Sequence, residues 1–459
     1  ADSMVLFYRV FLPRTGDYFA RKRSSIRTKA IMPFAVRGSR LERIAKRAPH
    51  RIGGFQPSVA PGAATAQPVR RLKPSILIPI FVFTLASPVL FYIGTVRLSP
   101  YRLVLIATFI PCLIAWLSGS VGRIRLPDIF MLSTAAWGAI VLLSHHGIDG
   151  LQSAGIFIIE TFGSFLFARR YIRDITAFQN MVKYLTLMVI FLLPFAIYEN
   201  VSGSPILIQL FGSVFSVYDV VGSEARFGLR TAFALSFYVL RSSLLSRLSP
   251  GFVAIAVVSS LSSGAILSVV VQAMLIGWDK VTAAVTRRWA ILATIVLTAY
   301  FFVDVMSNRS PIDVFISYLT FNADTSYMRV HIWNYGTQSV MNNPILGVGM
   351  NDWKRPFWMG GSIDNFWLGT AVTYGIPGLL LMIGNFLSVC FGLGRLKNLQ
   401  SHAAQCRKGL IITICGVILA VCTVHVWDAP YVLVLFLLGS AMWMFDDRVR
   451  DATEPSRNH

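Results

Sequence analysis

Long, nearly uncharged apolar runs constrain this chain more than any other feature. They recur at Ser75–Val96, Phe130–Leu143, Leu185–Ile197 and Tyr431–Phe445. A helix that spans a bilayer needs roughly 20 mostly apolar residues, because lipid offers no partner for a bare peptide group. Only 14% of the 459 residues are charged, against about 25% in an ordinary soluble domain. The expected fold class is therefore an all-α polytopic membrane protein.

Charge supplies an expected topology. Lys and Arg concentrate in cytoplasmic loops. Placing the basic clusters inside gives helices near 75–96, 101–118, 128–144, 151–168, 181–198, 229–246, 251–262, 264–278, 289–306, 365–394, 409–427 and 430–445. That is about 12 transmembrane helices with both termini inside. The run 251–278 must be split at "SSLSSG", Ser259–Gly264, or Arg247 or Lys280 falls on the wrong side. The expected organisation is a basic, disordered cytoplasmic tail over 1–73, a membrane domain over 74–306, a long outer loop with amphipathic helices over 307–364, C-terminal transmembrane helices over 365–445, and a cytoplasmic tail over 446–459.

The first 73 residues hold 16 Lys/Arg against Asp2, Asp17 and Glu42, part of a net charge of +21 for the chain. Such a tail enforces topology and touches anionic lipid. It has no recognisable nucleic-acid-binding fold and no apolar core of a cleavable signal peptide. The five cysteines show no metal-ligand spacing and read as small apolar residues.

Of 42 Lys/Arg, eight fall outside under this topology: Arg97, Arg102, Arg226, Arg230, Arg309, Arg329, Lys354 and Arg355. Arg97 and Arg102 bracket a tight turn and read as interfacial. Arg226 and Arg230 are spaced i, i+4 and share a helix face. They are either snorkelling anchors with Glu224 as a local partner, or two guanidinium groups facing an anion.

The loop 307–364 is too long for an ordinary connection and too aromatic for disorder. "DTSYMRVHIWNYGTQSVMNNP" reads as an amphipathic helix that starts at Thr325/Ser326 and ends before Pro344. Met328, Ile332 and Trp333 lie on one side, with Arg329 four residues before Trp333. Gly347 and Gly349 then permit a tight turn or a close backbone approach. Asp364 stands at the mouth of an apolar helix that Gly375–Gly378 interrupts. It is a candidate N-cap for a helix starting at Asn365, a candidate proton acceptor, or both.

Other polar positions are less specific. Glu160 interrupts an apolar run, as a functional acid or as a hydrogen-bonding partner of a neighbouring helix. His145–His146 reads as solvated, and His331 as pointing away from Arg329. His425 and Asp428 bracket the last outer turn and are candidates to line the same chamber. Trp353, Trp358 and Trp367 suit an interfacial belt or a sugar-stacking platform.

"MRVHIWNYGTQSVMNNPILGVGMNDW" followed by "IDNFWLGTAVTYGIPG" resembles the central signature of the O-antigen ligase and O-antigen or exopolysaccharide polymerase superfamily. Arg329, Trp333, Asn343–Pro344, Gly347, Gly349, Asn365 and Gly375–Gly378 match its order and spacing. "EARFGLRTAF" resembles the upstream Arg segment, and "LSSGAILSVVV" the Ser-rich turn. Ligases usually carry His where this chain has Asp364, so the polymerase branch is the nearer one.

The resemblance implies a GT-C-like glycosyltransferase of the bacterial inner membrane, metal-independent and without cofactor, whose active site faces the periplasm. Its implied substrates are undecaprenyl-pyrophosphate-linked oligosaccharides, as donor and acceptor. A chain-length regulator or export complex is a further implied partner; nucleic acid is not. The implied catalytic residues are Asp364 and Arg329, with Arg226, Arg230 and Arg329 on the pyrophosphate and Trp333, Asn365 and Trp367 as acceptor or sugar contacts. Two other activities fit the same outline: a ligase moving glycan to a lipid A core, and a lipid-linked glycan flippase or transporter. A transporter is expected to show internal repeats, and the sequence has none that we detect.

Overall fold

The computed structural model describes residues 75–87, 89–93, 96–204, 216–217, 234–240, 244–259, 263–307, 323–396 and 399–446, and single positions 206, 209 and 314. All belong to one compact unit, Leu72–His459. The basic tail, Arg226, Arg230 and Arg309 lie outside the described residues.

Within them the chain is a helical bundle. Helix α1 spans Leu77–Leu85, α2 Pro100–Leu117, α3 Leu126–His146, α4 Leu151–Ile158 and α5 Ser164–Tyr171. The series continues with α6 at Ile175–Ser202, α7 at Leu244–Ser259, α8 at Ser263–Val281 and α9 at Arg288–Met306. It ends with α10 at Ala323–Asn342, α11 at Phe366–Arg395, α12 at Ser401–Ala420 and α13 at Asp428–Gly439. Eight helical stretches among the described residues are long and apolar enough to cross a membrane. One of them, Leu126–Tyr171, covers 46 residues. It doubles back at the turn Gly147–Gly150, since Phe157 of α4 lies against Gly138 of α3 and packs with Ala139 and Leu142.

The expected split at Ser259–Gly264 is present: α7 ends at Ser259 and α8 starts at Ser263. The first segment differs from its expectation. A helix over 75–96 is replaced by the nine-residue α1 and an antiparallel ribbon. Strand β1, Val89–Ile93, pairs with β2, Val96–Leu98, and on its other edge with β3, Ser216–Val217. Pro88 follows α1 in the sequence and has no N–H to continue a helix. The residues after it, Val89, Phe91, Tyr92 and Ile93, are strand formers.

Burial sorts the helices by role. Of the span Asp428–Phe445, 83% is buried, which makes α13 the central helix. Its Phe436 meets Phe81 of α1, and Phe81 meets Phe167 of α5, at ring separations of 5.0 and 4.6 Å. Helix α9 is the opposite case, with no buried residue along its length. A mostly apolar helix with no buried residue suits a lipid-facing position. Helices α3 and α11 approach closely: a methyl at Gly384 would lie 2.4 Å from the Phe130 ring. Asn385 Nδ2 donates to Thr134 Oγ1 between the same two helices, at 2.7 Å.

Candidate active site

Helix α10 carries Arg329 and Trp333 on one side, and that side lies on the start of α11. Ile332 and Val340 of α10 share a buried cluster with Leu368, Ala371 and Val372 of α11, joined by Trp353 and Met359 from the intervening loop. Gly336 permits this approach, since a methyl there would sit 2.7 Å from Leu368.

The contact encloses a small pocket lined by Arg329, Ile332, Trp333, Asp364, Asn365, Leu368, Cys422 and Thr423. Its cavity is about 10 Å³, room for about one water. Four residues singled out in the sequence thus meet in one place: Arg329, Trp333, Asp364 and Asn365. Trp367 lies elsewhere. Its ring packs on Phe366 and Phe386, and its Nε1 donates to Ile418 O at 3.4 Å.

The capping role falls to Asn365. Asn365 is extended, and its side-chain oxygen accepts from Leu368 N at 3.0 Å. Asp364 is one residue too early for this bond. It is half-buried and accepts from Ser362 Oγ at 3.0 Å. Its charge acts on Arg329 and on His425, favouring the protonated form of each. Burial works against both: it holds Arg329 below the usual arginine range and His425 below the usual imidazole range.

His425 is therefore part of the same neighbourhood. A methyl on Gly369 would lie 2.7 Å from its ring, so glycine there lets the imidazole lie against the α11 backbone. Asp428 goes to a different network. Arg102 Nε meets Glu160 Oε1 at 2.6 Å, and Arg102 Nη2 meets Asp428 Oδ1 at 2.6 Å. Tyr101 OH donates to Glu160, and Arg97 Nη2 meets Asp428 Oδ2 at 3.2 Å. Arg97 and Arg102 are thus structural ion-pair partners and more than interfacial anchors. Glu160 sits in a wide π turn, Ile159–Gly163, and Asp428 adopts φ 53°. The sequence signal for this network was Glu160 itself, since an acid in an apolar run must find a partner.

The glycine-rich turn after Pro344 docks into the break in α11. Pro377 has no N–H to donate to Thr373 O, four residues back. Gly349 N donates there at 3.0 Å, and Val348 N donates to Val372 O at 2.8 Å. Ile376 N, turned out of its own helix, donates to Pro344 O at 2.8 Å. Trp137 Nε1 of α3 donates to Tyr374 O at 2.9 Å. Gly375, at φ 73°, allows the approach: a methyl there would stand 1.9 Å from Ile345 O. His146 Nε2 accepts from Met350 N at 3.1 Å, so this histidine holds the turn. His331 packs edge-on against Tyr327 and Trp358. Trp353 is buried and donates to Gly361 O at 2.9 Å.

Residues 248–383 match the family model described as O-antigen ligase. The match supports placing the chain in the O-antigen ligase and polymerase superfamily. It covers α10, the docked turn, Asp364, Asn365 and the break in α11. The Arg102–Glu160–Asp428 network and His425 lie beyond it. No curated protein matches the chain.

Proposed function

We propose, taking the O-antigen ligase domain at residues 248–383 as the premise, that this protein polymerises undecaprenyl-pyrophosphate-linked repeat units at the periplasmic face of the inner membrane. The reaction transfers one lipid-linked glycan onto a hydroxyl of another. The bond from the anomeric carbon to the pyrophosphate oxygen breaks, and a bond from that carbon to the acceptor oxygen forms. The lipid pyrophosphate leaves with the electron pair.

Asp364 is the proton acceptor for the attacking hydroxyl, and Arg329 stabilises the charge that develops on the pyrophosphate. Arg226 and Arg230 complete the anion clamp in this reading, and Trp333 and Asn365 border the sugar. The observation that carries it is the shared pocket of Arg329 and Asp364, in which Asn365 relieves Asp364 of the cap. A carboxylate freed from capping and beside a guanidinium can accept a proton next to an anion site. Asp364, where ligases usually have His, favours polymerisation over ligation.

The test is the purified full chain in lipid nanodiscs with a lipid-linked repeat unit. A ladder of products supports polymerisation; one addition to a lipid A core acceptor and no ladder refutes it. Arg329→Lys keeps the charge but loses the planar fork, so turnover falls severely while insertion is unchanged. Cysteine labelling at Ser310 and Thr453 from opposite sides of the membrane tests the orientation, and labelling from one side overturns it.

A further inference from the structure

Helix α10 has a second side, turned away from the Asp364 pocket. Two positions along a helix rotate a side chain by about 200°, so Tyr327 and His331 lie opposite Arg329 and Trp333. Tyr327, His331, Asn334 and Gln338 share that side, at steps of three and four. Tyr327 is 63% exposed, and Asn334 and Gln338 are exposed as well.

Aromatic rings are built onto this side. His331 stands edge-on to Tyr327, with ring centres 4.3 Å apart, and edge-on to Trp358 of the following loop at 5.5 Å. Tyr335 lies 6.4 Å from His331 and packs on the buried cluster of Ile332 and Trp353, which anchors the row. The loop is pinned on both sides of its tip. Trp353 and Met359 are buried in that cluster. Arg355 Nε donates to Met359 O at 3.1 Å, Met359 N donates to Pro356 O at 3.0 Å, and Arg355 pairs with Asp352. Between these anchors stand Phe357, fully exposed, and Trp358, 49% exposed. Rings held out on a pinned turn add nothing to the core; a contiguous exposed patch of this kind marks a contact surface.

Charge narrows the ligand. No Asp, Glu, Lys or Arg occurs from Val330 to Asn342, and the loop adds only Lys354 and Arg355 against Asp352. A membrane-surface helix carries Lys and Arg on its polar face, and a nucleic-acid groove is strongly basic. Uncharged amides beside aromatic rings match a ligand with apolar faces and hydroxyl rims. A pyranose ring is such a group: its C–H face stacks on an aromatic ring, and its hydroxyls bond to an amide. The Asp364 pocket has room for about one water, so sugars beyond the reacting bond lie outside it. A helix is about 10 Å across, a width that a short oligosaccharide spans.

We propose that this side of α10 is a glycan platform. Tyr327, Phe357 and Trp358 stack on pyranose rings of an oligosaccharide, and Asn334 and Gln338 bond its hydroxyls. The platform holds sugars remote from the reacting bond, on the far side of α10 from Trp333 and Asn365. That these sugars belong to the protein's own substrate rests on the proposed function.

The test uses the full chain in lipid nanodiscs and isothermal titration calorimetry. The probe is the surface polysaccharide of the cells that make this protein, cut from its lipid and sized to short oligomers. The variants are Tyr327→Ser/Phe357→Ser, both largely exposed, and Trp358→Ala. Trp358→Phe keeps a ring, and Tyr300→Ala, an exposed aromatic on α9, is the control. Wild type, Trp358→Phe and the control are expected to bind. The double variant and Trp358→Ala are expected to bind at least about tenfold more weakly, at unchanged thermal midpoint. No binding by wild type, or equal binding by wild type, the double variant and Trp358→Ala, overturns the proposal. So does quenching of tryptophan emission by brominated phosphatidylcholine that disappears in Trp358→Phe, which assigns the ring to lipid. Binding is read without turnover, so its failure is separate from failure of the product-ladder assay.

Discussion

Gly349 N donates to the carbonyl oxygen of Thr373 at 3.0 Å, the acceptor that Pro377 leaves unserved within its own helix. The outer turn and the broken helix therefore complete each other. Val348 N does the same for Val372 O, and Pro344 O takes the N–H of Ile376 in return. Buried peptide groups need partners, and an unmade bond in a dry site costs about 1–3 kcal/mol. The break in α11 is thus a socket for the loop that carries Asp364 back to the membrane.

Gly375→Ala tests the socket. Its added methyl would overlap Ile345 O, at a φ that disfavours any side chain. Loss of well over about 1 kcal/mol is expected. Limited proteolysis between Asn343 and Ser362 should speed up, and activity should fall although no reacting group has changed. Unchanged proteolysis would show that the turn stays docked without these bonds.

Asp364 and Asn365 should separate chemistry from stability. Asp364→Asn removes most of the basicity, so the expected loss is roughly 10²–10⁴-fold in turnover with little change in thermal midpoint. Asn365→Ala removes the bond to Leu368 N and should lower stability by about 1 kcal/mol, with the smaller effect on turnover. Normal turnover in Asp364→Asn would withdraw the proton-acceptor role.

The Arg102–Glu160–Asp428 network should be structural. Removing one partner of a buried ion pair leaves the other unpaired, at about 3–5 kcal/mol. Arg102→Ala should therefore destabilise strongly, and Glu160→Gln less, since Arg102 keeps Asp428. Thermal unfolding of the two single variants and the double variant gives the coupling. Independent, additive effects would mean the pair contributes nothing.

His425 should make stability pH-dependent. Burial is the leading cause of its lowered proton affinity, opposed by the Asn365 backbone and by Asp364. Its folded value lies below the unfolded one, about 6.5, so the unfolded chain binds more protons. The stabilisation is present above that unfolded value and is lost as pH falls through the folded one. The thermal midpoint should drop as pH falls below that unfolded value, more in wild type than in His425→Gln. Parallel curves would assign the acid sensitivity to other groups.

Much of this fold is local and was legible in the chain. Apolar runs of spanning length give helices because lipid leaves the backbone no other partner. The split at Ser259–Gly264, the helix that carries Arg329 and the break at Gly375–Pro377 follow from periodicity, charge placement and residues with special backbones. Segment 75–96 was the exception: its apolar length suits a helix, but Val89–Ile93 pairs with β3, more than 120 residues away in sequence. A strand's partner is a tertiary fact.

The site divides the same way. The sequence determined that Arg329 and Trp333 share a helix face and that Asp364 precedes an apolar helix. Only the tertiary structure decided that Asn365 takes the cap, that Trp367 turns into the core, that His425 lies against Gly369, and that Arg102 finds an acid 326 positions away. Helix propensity acts over about one turn and is written in neighbouring residues. The pairing of a buried charge or an orphaned carbonyl is set by whichever donor the packed bundle brings within 3 Å, and no local pattern specifies which one that is.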